Sequence, residues 1–239
     1  MQKLPFIVAF LLLIAGTGRL AGQRVEEDQT GAWYMYFFNA PFGDSGFGLQ
    51  GDYQFRFWRV GNDLEQILLR TGLTYRPDDA NVLFTLGYGY ILSGTPGVEF
   101  EGTSSENRIY QEALLPHKVG ERFLLTHRFR YEQRFVEGDD FRTRYRYNLF
   151  VNVLLRGEKL AKDAVYVALY NEIFINGQRQ IGTDENGRVR SVEVFDRNRT
   201  YLGLGYGIND RLRTQLGWML QTTNNWTKGQ LQISLHQTW

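Results

Sequence analysis

The chain contains no cysteine, so neither a disulfide framework nor a thiolate ligand or nucleophile can be built from it. An exported protein of that kind must take its stability from a large core or from lipid. Neither sign of charge dominates: 27 Lys+Arg stand against 26 Asp+Glu. A nucleic-acid binder would carry a basic excess, so that class is excluded. Beyond residue 22 no stretch approaches the roughly 18 consecutive apolar residues of a membrane-crossing helix. Proline is scarce, at five residues, while Gly (26), Tyr (14) and Phe (17) are abundant. A polar average with many aromatics and glycines and no cysteine is the composition of a β-barrel.

What is present begins at the N-terminus. Met1–Lys3 gives a short basic start, Phe6–Ile14 is almost unbroken apolar sequence, and Gly16, Gly18, Ala21 and Gly22 follow. Basic, apolar, then small is the order of a secretory signal peptide, which predicts a signal over 1–22 and a mature domain over 23–239. The apolar run is too short to cross a bilayer as a helix. Without Lys3 and Arg19 the mature chain is close to neutral.

The strongest signal is a period of two, apolar to one face and polar or small to the other, over segments of about ten residues. Phe141, Thr143, Tyr145, Tyr147, Leu149, Val151, Val153 and Leu155 share one face, while Arg142, Arg144, Arg146, Asn148, Asn152 and Arg156 share the other. Phe150 and Leu154 interrupt the polar face. Phe123, Leu125, Phe129, Tyr131 and Phe135 alternate with Arg122, Arg128, Arg130, Glu132 and Arg134. Similar patterns recur near 46–58, 81–92, 195–208 and 211–223. The last segment places Leu231, Ile233, Leu235 and Trp239 on one face, a terminal-aromatic pattern that resembles an outer-membrane assembly signal, with Gln237 departing from it. Soluble strands are usually about 5–6 residues long, so these segments are too long for a sandwich.

About 11 segments can be counted. Single-chain bacterial barrels normally have an even number, so the expectation is one antiparallel transmembrane barrel of 10–12 strands, with a strand missed or the first segment outside the wall. If the C-terminus is periplasmic, the short connections at 76–80, 116–120, 157–162 and 209–210 fall on the periplasmic side. The long ones at 93–104 and 177–194 then fall outside.

Only five of the cations are Lys; 22 are Arg, mostly at inward positions. The guanidinium fork suits bidentate pairing with carboxylates in a crowded lumen. Arg108, Arg128, Arg130, Arg134, Arg142, Arg144, Arg146, Arg197 and Arg199 are the candidate cations. Asp52, Glu106, Glu112, Glu132 and Glu172 are the candidate partners. Two readings use the same residues: a satisfied polar plug, or a path or pocket for anionic solutes.

Three histidines complete the candidate chemistry. His117 is expected in a solvated turn, and His236 in the lumen beside Ser234. His127 falls on the lipid face by alternation, where a polar group is costly. A bulge, a register shift or a protein contact would explain it. An acyl hydrolase with a lipid-facing Ser–His pair is the alternative, with Thr126, Thr143 and Ser234 as nearby hydroxyls and no nucleophile motif. Asp184, Glu185 and Asn186 offer oxygen atoms of a calcium-binding type but read as a solvated loop. No histidine pair has metal-ligand spacing and no glycine loop suits a phosphate, so neither metal nor cofactor is expected. Gly87–Gly89 and Gly203–Gly207 read as close packing inside a barrel.

Several phrases carry a family resemblance: Gly31–Phe37, Leu68–Leu73, Leu86–Ile91, Glu106–Glu112, His127–Arg134, Arg144–Tyr147, Tyr170–Phe174 and Asp196–Thr200. They resemble the outer-membrane barrel family catalogued as domain of unknown function 2490, over almost all of the mature chain. The resemblance implies a single-domain barrel and brings no catalytic residue. The expected location is the outer membrane of a Gram-negative cell. Expected partners are outer-membrane lipids, periplasmic chaperones and the barrel-assembly machinery. The activity stays open among a structural or small-solute barrel, a lipid or lipopolysaccharide acyl hydrolase, and a barrel that binds a ligand or partner through its outer loops.

Overall fold

In a computed structural model the chain is all-β, with residues 25, 27–97 and 102–239 described. The signal segment expected at 1–22 lies outside those residues. The strands are β1 (Gly31–Pro41), β2 (Phe47–Arg59), β3 (Asn62–Tyr75), β4 (Leu83–Ser93), β5 (Ser104–Val119), β6 (Phe123–Val136) and β7 (Arg142–Arg156). They continue with β8 (Val165–Asn176), β9 (Gln180–Thr183), β10 (Val189–Ser191), β11 (Phe195–Gly207), β12 (Leu212–Thr222) and β13 (Thr227–Thr238). All but β9 and β10 close into one barrel of 11 strands in the order β1-β13-β12-β11-β8-β7-β6-β5-β4-β3-β2.

Neighbours pair antiparallel around the wall except at one seam. There β1 runs parallel to β13, from Gly31 opposite Gln230 to Asn39 opposite Thr238. This corrects the even-number expectation: no strand is missing, and the first segment is an ordinary wall strand. An odd number of up-and-down strands leaves the first and last pointing the same way. A parallel ladder is then the pairing that removes both free edges.

The seam sets which end is which. β1 descends from a rim that also carries the connections 60–61, 94–103, 137–141, 177–194 and 223–226. The opposite rim carries 42–46, 76–82, 120–122, 157–164 and 208–211, and receives the end of β13. The chain therefore enters the wall at the long-loop rim and leaves it at the short-turn rim.

On the long-loop rim β9 and β10 form a hairpin, an element that alternation alone did not reveal. It leans over 137–141: the Asp140 amide donates to the Ile181 carbonyl at 2.9 Å, and Arg190 meets Asp139 at 2.9 Å. Beside it, the Ser105 amide and hydroxyl donate to Glu137 at 3.0 and 2.9 Å, holding that exposed carboxyl below its ordinary range.

Alternation sorts the side chains between lumen and exterior. Asp52, Gln54 and Arg56 are buried while Tyr53 and Phe55 between them are exposed. The outer wall is predominantly apolar, with Leu86, Leu202 and Leu204 each at about 60% exposure. Inside, tyrosines lie on glycines of the facing strand. Gly87 sits directly opposite Tyr110, and a Cβ there would fall 2.1 Å from the ring. Part of the lumen is also apolar. Trp33, Leu154, Tyr166, Ala168, Tyr201 and Met219, from β1, β7, β8, β11 and β12, form a buried cluster, with Met35 and Leu124 packed on it. The interruption at Leu154 is thus a core residue.

Candidate functional site

The lumen divides into two halves. In the half toward the long-loop rim, β5 to β8 carry charged residues at alternate inward positions, so each carboxylate faces guanidiniums from neighbouring strands. Glu106 receives two forks, from Arg108 at 2.5 and 2.7 Å and from Arg134 at 2.5 and 2.9 Å. Glu132 is fully buried; Arg144 reaches it at 2.6 and 2.9 Å and Arg146 at 2.6 Å. Arg108 and Arg130 stand 4.0 and 3.9 Å from the same carboxylate. Arg146 continues to Glu172 at 2.5 Å, Arg128 joins Glu172 at 2.7 Å, and Arg130 closes on Glu112 at 2.5 Å.

This network includes most of the residues singled out from sequence and adds others. Arg144 also meets Asp196 at 2.9 Å, which Arg197 contacts at 3.1 Å. Arg142 pairs with Asp139 at 3.0 Å at the rim, and Arg70 with Asp52 at 2.6 Å. Arg199 makes no ion pair among the described residues. It donates to Gln221 at 2.7 Å and lies 4.7 Å from both the Trp33 and Phe174 rings. Arg56 lies 3.7 Å from the centroid of the Trp33 ring, while the Trp33 indole donates to Glu65 at 2.7 Å. Asp196, Arg70, Arg56 and Glu65 were not picked from the sequence. Their inward position on alternating strands was the available signal; for Glu65 a register shift between β2 and β3 masked it.

The half toward the short-turn rim is open. It holds a cavity of about 370 Å³ reaching from Trp33, Arg130 and Glu172 down to Asn39, Thr126, Asn152 and Thr238. Phe150, the second interruption of the polar face, lines this cavity under Arg128. Ser234 and His236 lie in it as expected, with the hydroxyl 3.0 Å from the imidazole Nε2 and the ring stacked on Phe37 at 4.7 Å.

The other two histidines meet on the outer wall. His127 keeps the outward register of β6, without a bulge in either ladder. Its Nδ1 lies 2.8 Å from the Tyr147 hydroxyl, and its ring stacks on His117 at 5.1 Å. A protein contact therefore accounts for this polar group. The expected turn position of His117 is corrected: β5 continues through it to Val119, with His117 paired to Leu125. The acyl-hydrolase alternative needs a serine at His127, and the hydroxyl that reaches it belongs to tyrosine. Asp184 caps its own turn, accepting from the Asn186 and Arg188 amides at 2.9 and 2.8 Å. No metal-holding cluster of three or more side chains occurs among the described residues.

On β13, Leu231, Ile233 and Leu235 lie on the outward face, and Gln237 accepts from the Tyr36 hydroxyl at 3.0 Å. The Trp239 amide bonds the Asn39 carbonyl at 2.9 Å, and the ring is exposed.

The model of the family described as "Protein of unknown function (DUF2490)" matches residues 30–232, and the chain belongs to that family. It is also similar to an uncharacterized protein of Methylorubrum extorquens, 28% identical over 231 residues that cover 93% of this chain and 90% of the relative.

Proposed function

We propose that this protein is an integral outer-membrane barrel whose lumen is closed on the long-loop side. It acts as a structural or ligand-holding barrel and not as an open pore. Membrane insertion is supported by the outer wall, where large apolar side chains stand exposed on every strand face. A patch of that extent is foreign to a soluble monomer and suits lipid. The signal-like start of the sequence points the same way.

One observation carries the closed lumen. Glu132 has no exposed surface while two guanidiniums bond it and two more lie within 4.0 Å. In a water-filled channel the residues at that level would be wet. A small barrel is narrow enough for side chains to fill. The Ser–His contact that does form, between Ser234 and His236, lies in the lumen and not on the lipid face that the hydrolase alternative requires. A general base there needs a partner that stabilises the imidazolium, and the residue across the strand pair is the cation Arg213.

The test is conductance of the refolded barrel in a planar bilayer, with a heat-shifted gel band as proof of folding. No steady conductance is expected. A steady anion-preferring current would replace the closed lumen with a solute path. Because the chain lacks cysteine, single cysteines report its orientation. With the long-loop rim outside, Asp28→Cys and Glu185→Cys should react with an impermeant maleimide on intact cells, and Glu158→Cys only after permeabilisation. The opposite pattern would invert the barrel, and equal labelling of all three without permeabilisation would remove it from the membrane.

A further inference from the structure

The cavity in the short-turn half has a charge problem that the rest of the lumen has solved. Seven arginines line it against three carboxylates, Asp52, Glu112 and Glu172. All three carboxylates are already engaged: Asp52 by Arg70, Glu112 by Arg130, and Glu172 by Arg146 and Arg128. Arg56 and Arg199 are spread over the Trp33 ring and hydrogen-bonded to glutamines. Arg213 has no such arrangement. It makes no ion pair among the described residues, and its buried Nε has no hydrogen-bond partner.

A second observation lies deeper in the same cavity, four residues along β13 from His236, the residue paired with Arg213. Gln232 is 2% exposed and lines the same cavity; its carbonyl accepts from Tyr170, yet its amide nitrogen has no acceptor. A buried donor left unpaired is costly, and an uncompensated cation more so. Unpaired donors on Arg128, Arg130, Arg213 and Gln232 outnumber the one unpaired acceptor, on Asn148, and with the surplus of positive charge they point to an anion with several acceptor oxygens. The Ser234 hydroxyl, 3.0 Å from the His236 Nε2, lies on the same inward face of β13.

We propose that this cavity is a binding site for one carboxylate or phosphate group, with the Arg213 guanidinium as its principal contact. The proposal rests on the closed-lumen reading, which makes the cavity a cup entered from the short-turn rim. The volume suits a small organic anion, or the headgroup of a lipid whose chains remain outside.

The experiment is titration calorimetry on the folded, full barrel in a phosphate-free, carboxylate-free zwitterionic detergent. Three probes separate the sources of the anion: inorganic phosphate, succinate and short-chain phosphatidate. Saturable binding of at least one is expected, weakened tenfold or more in Arg213→Gln and by a smaller factor in Arg213→Lys, which keeps the charge and loses the fork. Free phosphate or succinate binding alone would identify a soluble anion; phosphatidate binding alone would identify a headgroup. If no probe binds the folded barrel, or Arg213→Gln binds as tightly as the parent, the proposal is overturned. Conductance of the same preparation keeps the two readings apart. A silent barrel without binding loses the site and keeps the closed lumen, whereas a conducting barrel without binding loses both.

Discussion

The two halves of the lumen are made of the same residue types and differ in stoichiometry. Toward the long loops, arginines of β5 to β7 surround Glu106, Glu132 and Glu172 closely, and Glu132 touches or approaches four of them. Toward the short turns the carboxylates run out, Arg213 is left without one, and space opens instead. Packed charge of both signs becomes a wall; charge of one sign becomes a receptacle. The contrast teaches that an arginine-rich lumen is neither plug nor path by composition. What decides is whether each guanidinium finds an oxygen within the protein.

The sharpest way to break the contrast is to remove the centre of the dry half. Glu132→Ala leaves Arg144 and Arg146 buried without the carboxylate they bond at 2.6 Å. Deleting one partner of a buried pair typically costs about 3–5 kcal/mol. The expected result is a lowered urea midpoint in detergent by that amount. A refolded fraction should also acquire a conductance that the closed-lumen proposal denies to the parent. A variant as stable as the parent would mean that the network is only decorative packing.

How much of this was legible in the sequence follows from what a period of two can say. It assigns a face, so the run from Arg142 to Arg146 and its partners on β6 placed their side chains inward correctly. It says nothing about which strand is the neighbour, so the parallel seam of β1 with β13 had to come from closure. The even-number habit of bacterial barrels pointed away from it. Period-two reading also treats an apolar residue on a polar face as noise. Leu154 and Phe150 looked like interruptions, yet one belongs to the buried cluster around Trp33 and the other roofs the cavity wall beneath Arg128. Unpaired cations were illegible for a different reason. Arg213 and Arg144 look alike on paper, and only their distances to carboxylates separate them.

Where the two halves join, Tyr110 lies on Gly87 with Arg130 4.4 Å above its ring. A methyl group at Gly87 would overlap the ring, which is 2% exposed and has little room to move. Overpacking of this kind costs about 1–3 kcal/mol. Gly87→Ala should lower the unfolding midpoint accordingly, and the double variant with Tyr110→Leu should recover part of the loss. Failure of the recovery would place the cost in the backbone of β4 and not in the ring.

The smallest effect is expected where the inventory is unbalanced. Arg213 gives up no ion pair on mutation, and its Nε has no bond to lose. Removing it relieves uncompensated charge in a partly buried site, which offsets the lost packing of its stem. Arg213→Gln should therefore unfold within about 1 kcal/mol of the parent, against several for Glu132→Ala. If the anion is present and bound, the difference reverses: the parent gains stability with ligand concentration as RT ln(1 + [L]/Kd), and the variant does not. Comparing the two midpoints with and without the bound probe thus reads occupancy through stability. A large loss for Arg213→Gln in a probe-free preparation would show that Arg213 holds the barrel together, and the distinction between the halves would collapse.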